Sequence, residues 1–145
     1  MKIAIANDHG GYELKVHLVN YLKEKGYEVV DLGTDSNQSV DYPLFGYKLG
    51  KEIATNKYDF GIAICGTGIG ISIAANKVKG IRAALIYDEK TAILAKQHNN
   101  ANIIALGGRT QTNREAEKLV DTFINSEFEL RHQHRLDLLE KMGGE

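Results

Sequence analysis

Tryptophan is absent, and proline and cysteine occur once each, as Pro43 and Cys65. A single cysteine excludes a disulfide within the chain, and a lone thiol suits a reducing, cytoplasmic setting. Charge of one sign is also missing: 18 Lys and Arg stand against 19 Asp and Glu, for a formal net charge of −1. That balance supplies no general field for nucleic acid or an anionic membrane. No apolar run approaches the roughly 20 residues of a membrane-crossing helix. Met1 and Lys2 lead straight into Ile3-Ala4-Ile5-Ala6 and then Asn7-Asp8-His9, so no secretory leader is expected. What is present is 145 residues with 43% apolar content, enough for one domain with a sizeable core. A single domain is expected over 1–145, without linker or repeat.

Short apolar runs alternate with amphipathic stretches. The spacing predicts strands over 2–6, 28–32, 60–65, 81–87 and 102–106. A helix is expected from Gly10-Gly11 to Gly26, with Leu14, Leu18 and Leu22 on one face. Another starts at Asp41, an N-cap residue followed closely by Pro43, and continues through Phe45, Leu49 and Ile53. Further helices are expected over 71–77, 88–97 and 113–125. Alternation of this kind means an α/β fold of three layers, a five-stranded parallel sheet with helices on both faces. Residues 127–145 differ in kind. A helix over 131–142 carries Arg131, His132, His134 and Arg135, then Leu136, Leu139 and Met142. It reads as a C-terminal helical arm that docks on its own domain or on a second subunit.

In open parallel sheets, ligands bind beyond the carboxyl ends of the strands. The first strand is followed by Asn7-Asp8-His9-Gly10-Gly11, the third by Cys65-Gly66-Thr67-Gly68-Ile69-Gly70 and the fifth by Gly107-Gly108-Arg109. Alternate glycines after Cys65 let the backbone bend sharply and approach a ligand, and a helix that starts there favours an anion. The same glycines also suit a tight turn with no ligand. A thiol beside a helix start is favoured as thiolate and could take a proton from a carbon acid, although a free cysteine is commonly just a small core residue. Asp8 is either an acid–base group or an N-cap. His98 closes a helix and reaches this site only if that helix end folds back towards it. Arg109, Arg131 and Arg135 suit a phosphate, or a solvated basic face. His132 and His134 make a weak metal pair, and no metal site is expected from the sequence.

Taken together, Asn7-Asp8-His9-Gly10-Gly11, Asp41-Tyr42-Pro43, the run from Cys65 to Lys77, Gly80-Ile81-Arg82-Ala83-Ala84, His98-Asn99-x-Ala101-Asn102 and Arg131-His132-x-x-Arg135 resemble type B ribose-5-phosphate isomerase, in order and in spacing. The resemblance implies a Rossmann-like domain and a homodimer or tetramer of dimers with sites at the subunit interface. It implies an aldose–ketose isomerase that interconverts ribose 5-phosphate and ribulose 5-phosphate without metal or cofactor. In that pattern Cys65 is the base, and Thr67 with the backbone of Gly66, Gly68, Ile69 and Gly70 holds a cis-enediolate. His98, helped by Asp8, opens the sugar ring. His9, Arg109, Arg131 and Arg135 surround the phosphate, and Tyr42 and Asn99 line the sugar pocket. Some relatives use a glutamate at the position of Ile71, and here Ile71 leaves Cys65 as the base. The chain departs from the family at Glu129-Leu130, where glycines are common. Close relatives act on allose 6-phosphate or galactose 6-phosphate.

Two rivals stand beside this reading. A dinucleotide-dependent oxidoreductase would use a glycine turn and an acid such as Asp88, about 20 residues on. However, the turn follows the third strand, and its third fingerprint glycine is misplaced. A non-catalytic phosphate-binding module would keep the glycines and arginines and have no use for Cys65 or His98.

Overall fold

The structure, a computed structural model, describes residues 1–143, so the last two residues of the expected arm lie outside it. Five strands, β1 (Lys2–Asn7), β2 (Glu28–Asp31), β3 (Phe60–Cys65), β4 (Ala83–Leu85) and β5 (Ile103–Gly107), pair in parallel in the order β2-β1-β3-β5-β4. Six helices accompany them: α1 (Tyr12–Glu24), α2 (Tyr42–Ile53), α3 (Ile69–Ala75), α4 (Glu89–Gln97), α5 (Asn113–Ile124) and α6 (Gln133–Glu140). This is the expected α/β sheet. The main differences are at element ends. β4 is shorter than its apolar run, and α3 starts at Ile69, directly after the glycine turn. The tail opens with a 3-10 turn, Leu130–His132, before α6. Arg131 therefore lies in the 3-10 turn rather than in the helix expected over 131–142, and Arg135 lies in α6.

Side chains alternate across a strand, and here the alternation sorts by size. Ile3, Ile5, Phe60, Ile62, Ile64, Ile104 and Leu106 face one core, with α1, α4 and α5 packed over them. Ala4, Ala6, Ala63, Cys65, Ile103 and Ala105 face the other, under α2 and α3. The small face lets α2 and α3 lie close to the sheet and to each other. Gly46 marks that closeness: a Cβ built there would sit 2.8 Å from the Ala74 Cβ and from the Ile71 carbonyl oxygen. Cys65 belongs to this small-residue face, at the carboxyl end of β3 and level with Gly107 of β5.

The chain steps from β1 outward to β2 and returns to β3 on the other side of β1. The carboxyl ends of β1 and β3 therefore flank the switch point, where open α/β sheets bind ligands.

Candidate active site

At the switch point the wall is almost bare backbone. Three loops follow β1, β3 and β5, and glycines bring them into contact. A Cβ on Gly10 would lie 2.9 Å from the Gly66 nitrogen, and one on Gly108 would lie 2.4 Å from the Gly10 carbonyl oxygen. Backbone bonds lock the loops together. Asp8 N–H donates to the Ile64 carbonyl (3.1 Å), Gly108 N–H to that of Cys65 (2.8 Å) and Arg109 N–H to that of Gly66 (2.9 Å).

Cys65 is 5% exposed. Its Sγ accepts a hydrogen bond from the Gly68 N–H at 3.2 Å. Gly68 adopts φ +81°, a left-handed conformation that suits glycine, and its amide thereby turns back onto the sulfur. A donor is thus in place for the sulfur when it carries charge. Exposed Thr67 offers its Oγ1 as acceptor to the Ile69 N–H (3.2 Å). Tyr42, the first residue of α2, lays its ring against Gly70, where a Cβ would be 2.6 Å from the ring. Arg109 runs along Gly66, with Nη1 3.1 Å from where a Cβ would stand.

Asp8 is buried, and its Oδ1 accepts from the Gly11 N–H (3.2 Å), so it caps the 3-10 turn His9–Gly11. His9 Nδ1 accepts from the Val40 N–H at 3.2 Å. In the neutral ring that leaves the proton on Nε2, a donor for an anion. The loop that supplies Val40 is anchored by buried Lys15, whose Nζ holds Asp31 (2.8 Å) and the Thr34 carbonyl (2.9 Å). Nothing in the residue pattern marked Val40 or Lys15 as supports, because their roles depend on backbone direction across the loop.

His98, Asn99, Arg131 and Arg135 are not with this group in the same chain. α4 runs back from the carboxyl edge of the sheet, and His98 caps its far end. The turn after it is clamped to the starts of β3, β4 and β5. Asn102 accepts the Gly61 N–H (2.9 Å) and the Arg82 N–H (2.7 Å), and the Asn100 carbonyl accepts from Arg82 Nε (3.1 Å). His98 therefore sits at the amino edge, and the helix end does not fold back. β5 alone, five residues long, sets the two edges about 16 Å apart at about 3.3 Å per residue.

The arm docks at that same edge. Glu129 N–H donates to the Gln97 carbonyl (3.0 Å), and Arg82 pairs with Glu140 (3.1 Å). His132 and Leu136 are buried beneath it. The His98 and His132 rings lie 4.4 Å apart between centroids. Glu129 Oε1 is 3.8 Å from Nε2 of each and 3.2 Å from Arg131. Arg135 Nη1 stands 3.4 Å from His132 Nδ1. Burial first, then the charges of Arg131, His98 and Arg135, pushes the His132 imidazolium below its ordinary pKa. The weak His132–His134 pair of the sequence does not come together with these groups; His132 instead lies beside His98 and Glu129. Spacing along the chain could not reveal this, since helix α5 separates His98 from Glu129. A cavity of about 410 Å³ opens here, lined by His98, Asn99, His132, Arg135, Leu139 and Met142 among others.

The architecture defines a doubly wound, Rossmann-like α/β protein with Cys65 at its switch point. More narrowly, the chain belongs to the ribose/galactose isomerase family, whose sequence profile matches residues 3–139. It is 46% identical over 143 residues to a ribose-5-P isomerase B of Listeria innocua, covering 98% of this chain and 97% of that one. Its fold superposes on the ribose-5-phosphate isomerase B of Clostridium thermocellum with a TM-score of 0.95 at 49% identity, covering 97% and 96% of the two chains. It is also similar to the Mycoplasma genitalium ribose-5-phosphate isomerase B solved with bound ribulose-5-phosphate, with a TM-score of 0.92, 45% identity and 97% and 94% coverage. No helix among the described residues is long and apolar enough to cross a membrane.

Proposed function

We propose that the chain is an aldose–ketose isomerase that interconverts ribose 5-phosphate and ribulose 5-phosphate. The observation that carries this is the Cys65 sulfur, held at 3.2 Å from the Gly68 amide in a cradle of bare backbone. Membership of the ribose/galactose isomerase family and a relative with ribulose-5-phosphate bound support it. In the reaction, the Cys65 thiolate takes the C2 proton of the open-chain aldose. The electron pair moves into an enediolate whose oxygens face the backbone N–H groups of the Gly66–Gly70 turn and Thr67. Cys65 returns the proton to C1, and the hydroxyl proton passes from O2 to O1, so the atoms balance. His9, with its Nε2 proton free, and Arg109 hold the phosphate from the same chain.

The remaining groups come from a second copy. His98, Asn99, Arg131 and Arg135 lie at the wrong edge to serve their own Cys65, so the partner subunit's His98 opens the ring and the partner subunit's Arg131 and Arg135 complete the phosphate site. Exposed apolar residues support a two-fold pairing: Ile69 and Ile73 lie on α3 directly after the cysteine turn, Tyr47 lies on α2, and Leu130, Leu139 and Met142 lie on the arm. The homodimer works in the cytoplasm, in keeping with its lone thiol, and needs neither metal nor cofactor.

Turnover of ribose 5-phosphate, allose 6-phosphate and galactose 6-phosphate by pure protein tests the assignment. The highest kcat/KM is expected for ribose 5-phosphate. A preference for a six-carbon substrate would move the chain to the family's other branch. No turnover of any of them, with phosphate-sugar binding intact, would leave a binding module.

A further inference from the structure

The group of His98, Glu129 and His132 does more than fix the arm in place. We propose that these three side chains form a binding site for one late first-row divalent cation, with Zn²⁺ as the natural occupant, and that its occupancy inhibits the enzyme. The inhibitory half rests on the role given above to His98; the binding half does not.

Two separate stretches of chain, the end of α4 and the start of the arm, bring the donors together. His98 ends α4, Glu129 is pinned to that end through the Gln97 carbonyl (3.0 Å), and the 3-10 turn Leu130–His132 returns His132 beneath them. One ligand atom from each lies within 4.8 Å of the others. Two imidazoles and one carboxylate are a zinc donor set that leaves a fourth position open, whereas calcium and magnesium prefer oxygen ligands.

A second observation points the same way. His132 is 5% exposed, yet its Nε2 has no hydrogen-bond partner among the described residues. Buried polar groups are nearly always paired. This nitrogen instead faces Glu129 Oε1 at 3.8 Å, as does His98 Nε2. That is too long for a hydrogen bond. It is close to the roughly 3.4 Å between two ligands of a tetrahedral ion with bonds of about 2.0–2.1 Å. His98 and Glu129 are half-exposed and can close the remaining gap.

Binding has consequences for the arm. Arginine only donates, so at present His132 Nδ1 accepts from Arg135 and the ring proton sits on Nε2. A cation on Nε2 moves that proton to Nδ1, and Arg135 must leave. Arg131 must also give up Glu129 Oε1. Both arginines are exposed and free to swing. The positive charge they bring makes the site reversible rather than structural. Loading it takes the lone pair of His98 and displaces two phosphate ligands in one step.

The test uses metal-free full-length protein. Titration with Co²⁺ should give the intense visible bands of a four-coordinate ion, at one per chain, and calorimetry should give the same stoichiometry for Zn²⁺. The signal should persist in Cys65→Ser, which separates this site from the thiol. Glu129→Gln and His132→Asn should each weaken Zn²⁺ binding by about tenfold or more, since loss of even an outer-shell partner costs that much. Glu129 is partly solvated, so its variant tests the site without disturbing the buried histidine. No stoichiometric binding, binding unchanged in both variants, or loss in Cys65→Ser would overturn the site. Zn²⁺ should also suppress turnover of the wild-type protein reversibly, with recovery on chelation. Full activity with the site occupied would overturn the inhibitory half. The binding arms read out without turnover, so they decide the site even for a chain that isomerises nothing.

Discussion

Cys65 and His98 are assigned different parts of one reaction, and a single isotope experiment separates them. Ribulose 5-phosphate has no free hydroxyl from which to close a five-membered ring, so its C1 proton can be removed without any ring opening. Cys65→Ala should therefore lose both net isomerisation and the wash-in of solvent hydrogen at C1 of the ketose, each by at least about 10²-fold, the usual scale of general-base loss. His98→Asn should lose isomerisation on a similar scale yet keep the C1 wash-in, read by NMR in deuterated water. Loss of wash-in by His98→Asn would show that the histidine acts in carbon deprotonation. Near-normal turnover by Cys65→Ala would remove the thiol from the mechanism.

At the scale of elements, the closeness of α2 to α3 and the docking of the arm each carry a prediction. Gly46→Ala places a methyl 2.8 Å from both the Ala74 Cβ and the Ile71 carbonyl oxygen. Overpacking of that kind costs about 1–3 kcal/mol. The urea midpoint should fall accordingly, whereas Lys48→Ala, on the exposed face of the same helix, should stay within about 0.5 kcal/mol. Equal midpoints for the two variants would mean that the helices can part without cost. The arm should respond to acid. His132 is held below its ordinary pKa of 6.5 by burial and by Arg131, His98 and Arg135, with Glu129 opposing. Below pH 6.5 the released arm takes up a proton that the docked arm refuses. Docking is therefore at full strength above that pH and weakens as pH falls towards the lowered value. Amide protection across 130–140, corrected for intrinsic rates, should drop between about pH 7 and pH 5 while the strands hold theirs. Protection that does not change with pH would contradict this.

The same elements show what a sequence can and cannot carry. The strands and their order along the chain were legible because apolar runs and glycine turns are local signals. So was the glycine turn after Cys65, where three glycines stand at alternate positions, whereas the Asp8 cap was one of two roles the sequence left open. The placement of His98 was not legible. Its motif fits the family, but which edge of the sheet it occupies depends on the direction of α4, a property of the fold. Glu129 stood out only as a departure from the family pattern, and its two histidine neighbours became visible only once the arm was seen to fold back on α4.

Across the whole molecule, the split between the carboxyl and amino edges becomes a statement about assembly. One chain holds Cys65 at one edge and Arg135 at the other, about 16 Å apart along the strands. Cys65→Ala and Arg135→Ala, each nearly inactive alone, should therefore complement each other. In a mixed two-fold dimer, one site carries both lesions and the other carries neither. Random reassembly of equal amounts makes half the dimers mixed, and each of these has one intact site of two, so about a quarter of wild-type activity should return. If the arm served its own chain, every site would keep one lesion and mixing would restore nothing. The measurement is activity after co-refolding, with mixed dimers verified by a mass tag on one variant. Verified mixed dimers without recovered activity would show that each chain completes its own site. The arm would then have to leave the amino edge to reach Cys65, breaking the Arg82–Glu140 and Glu129–Gln97 contacts that now hold it there.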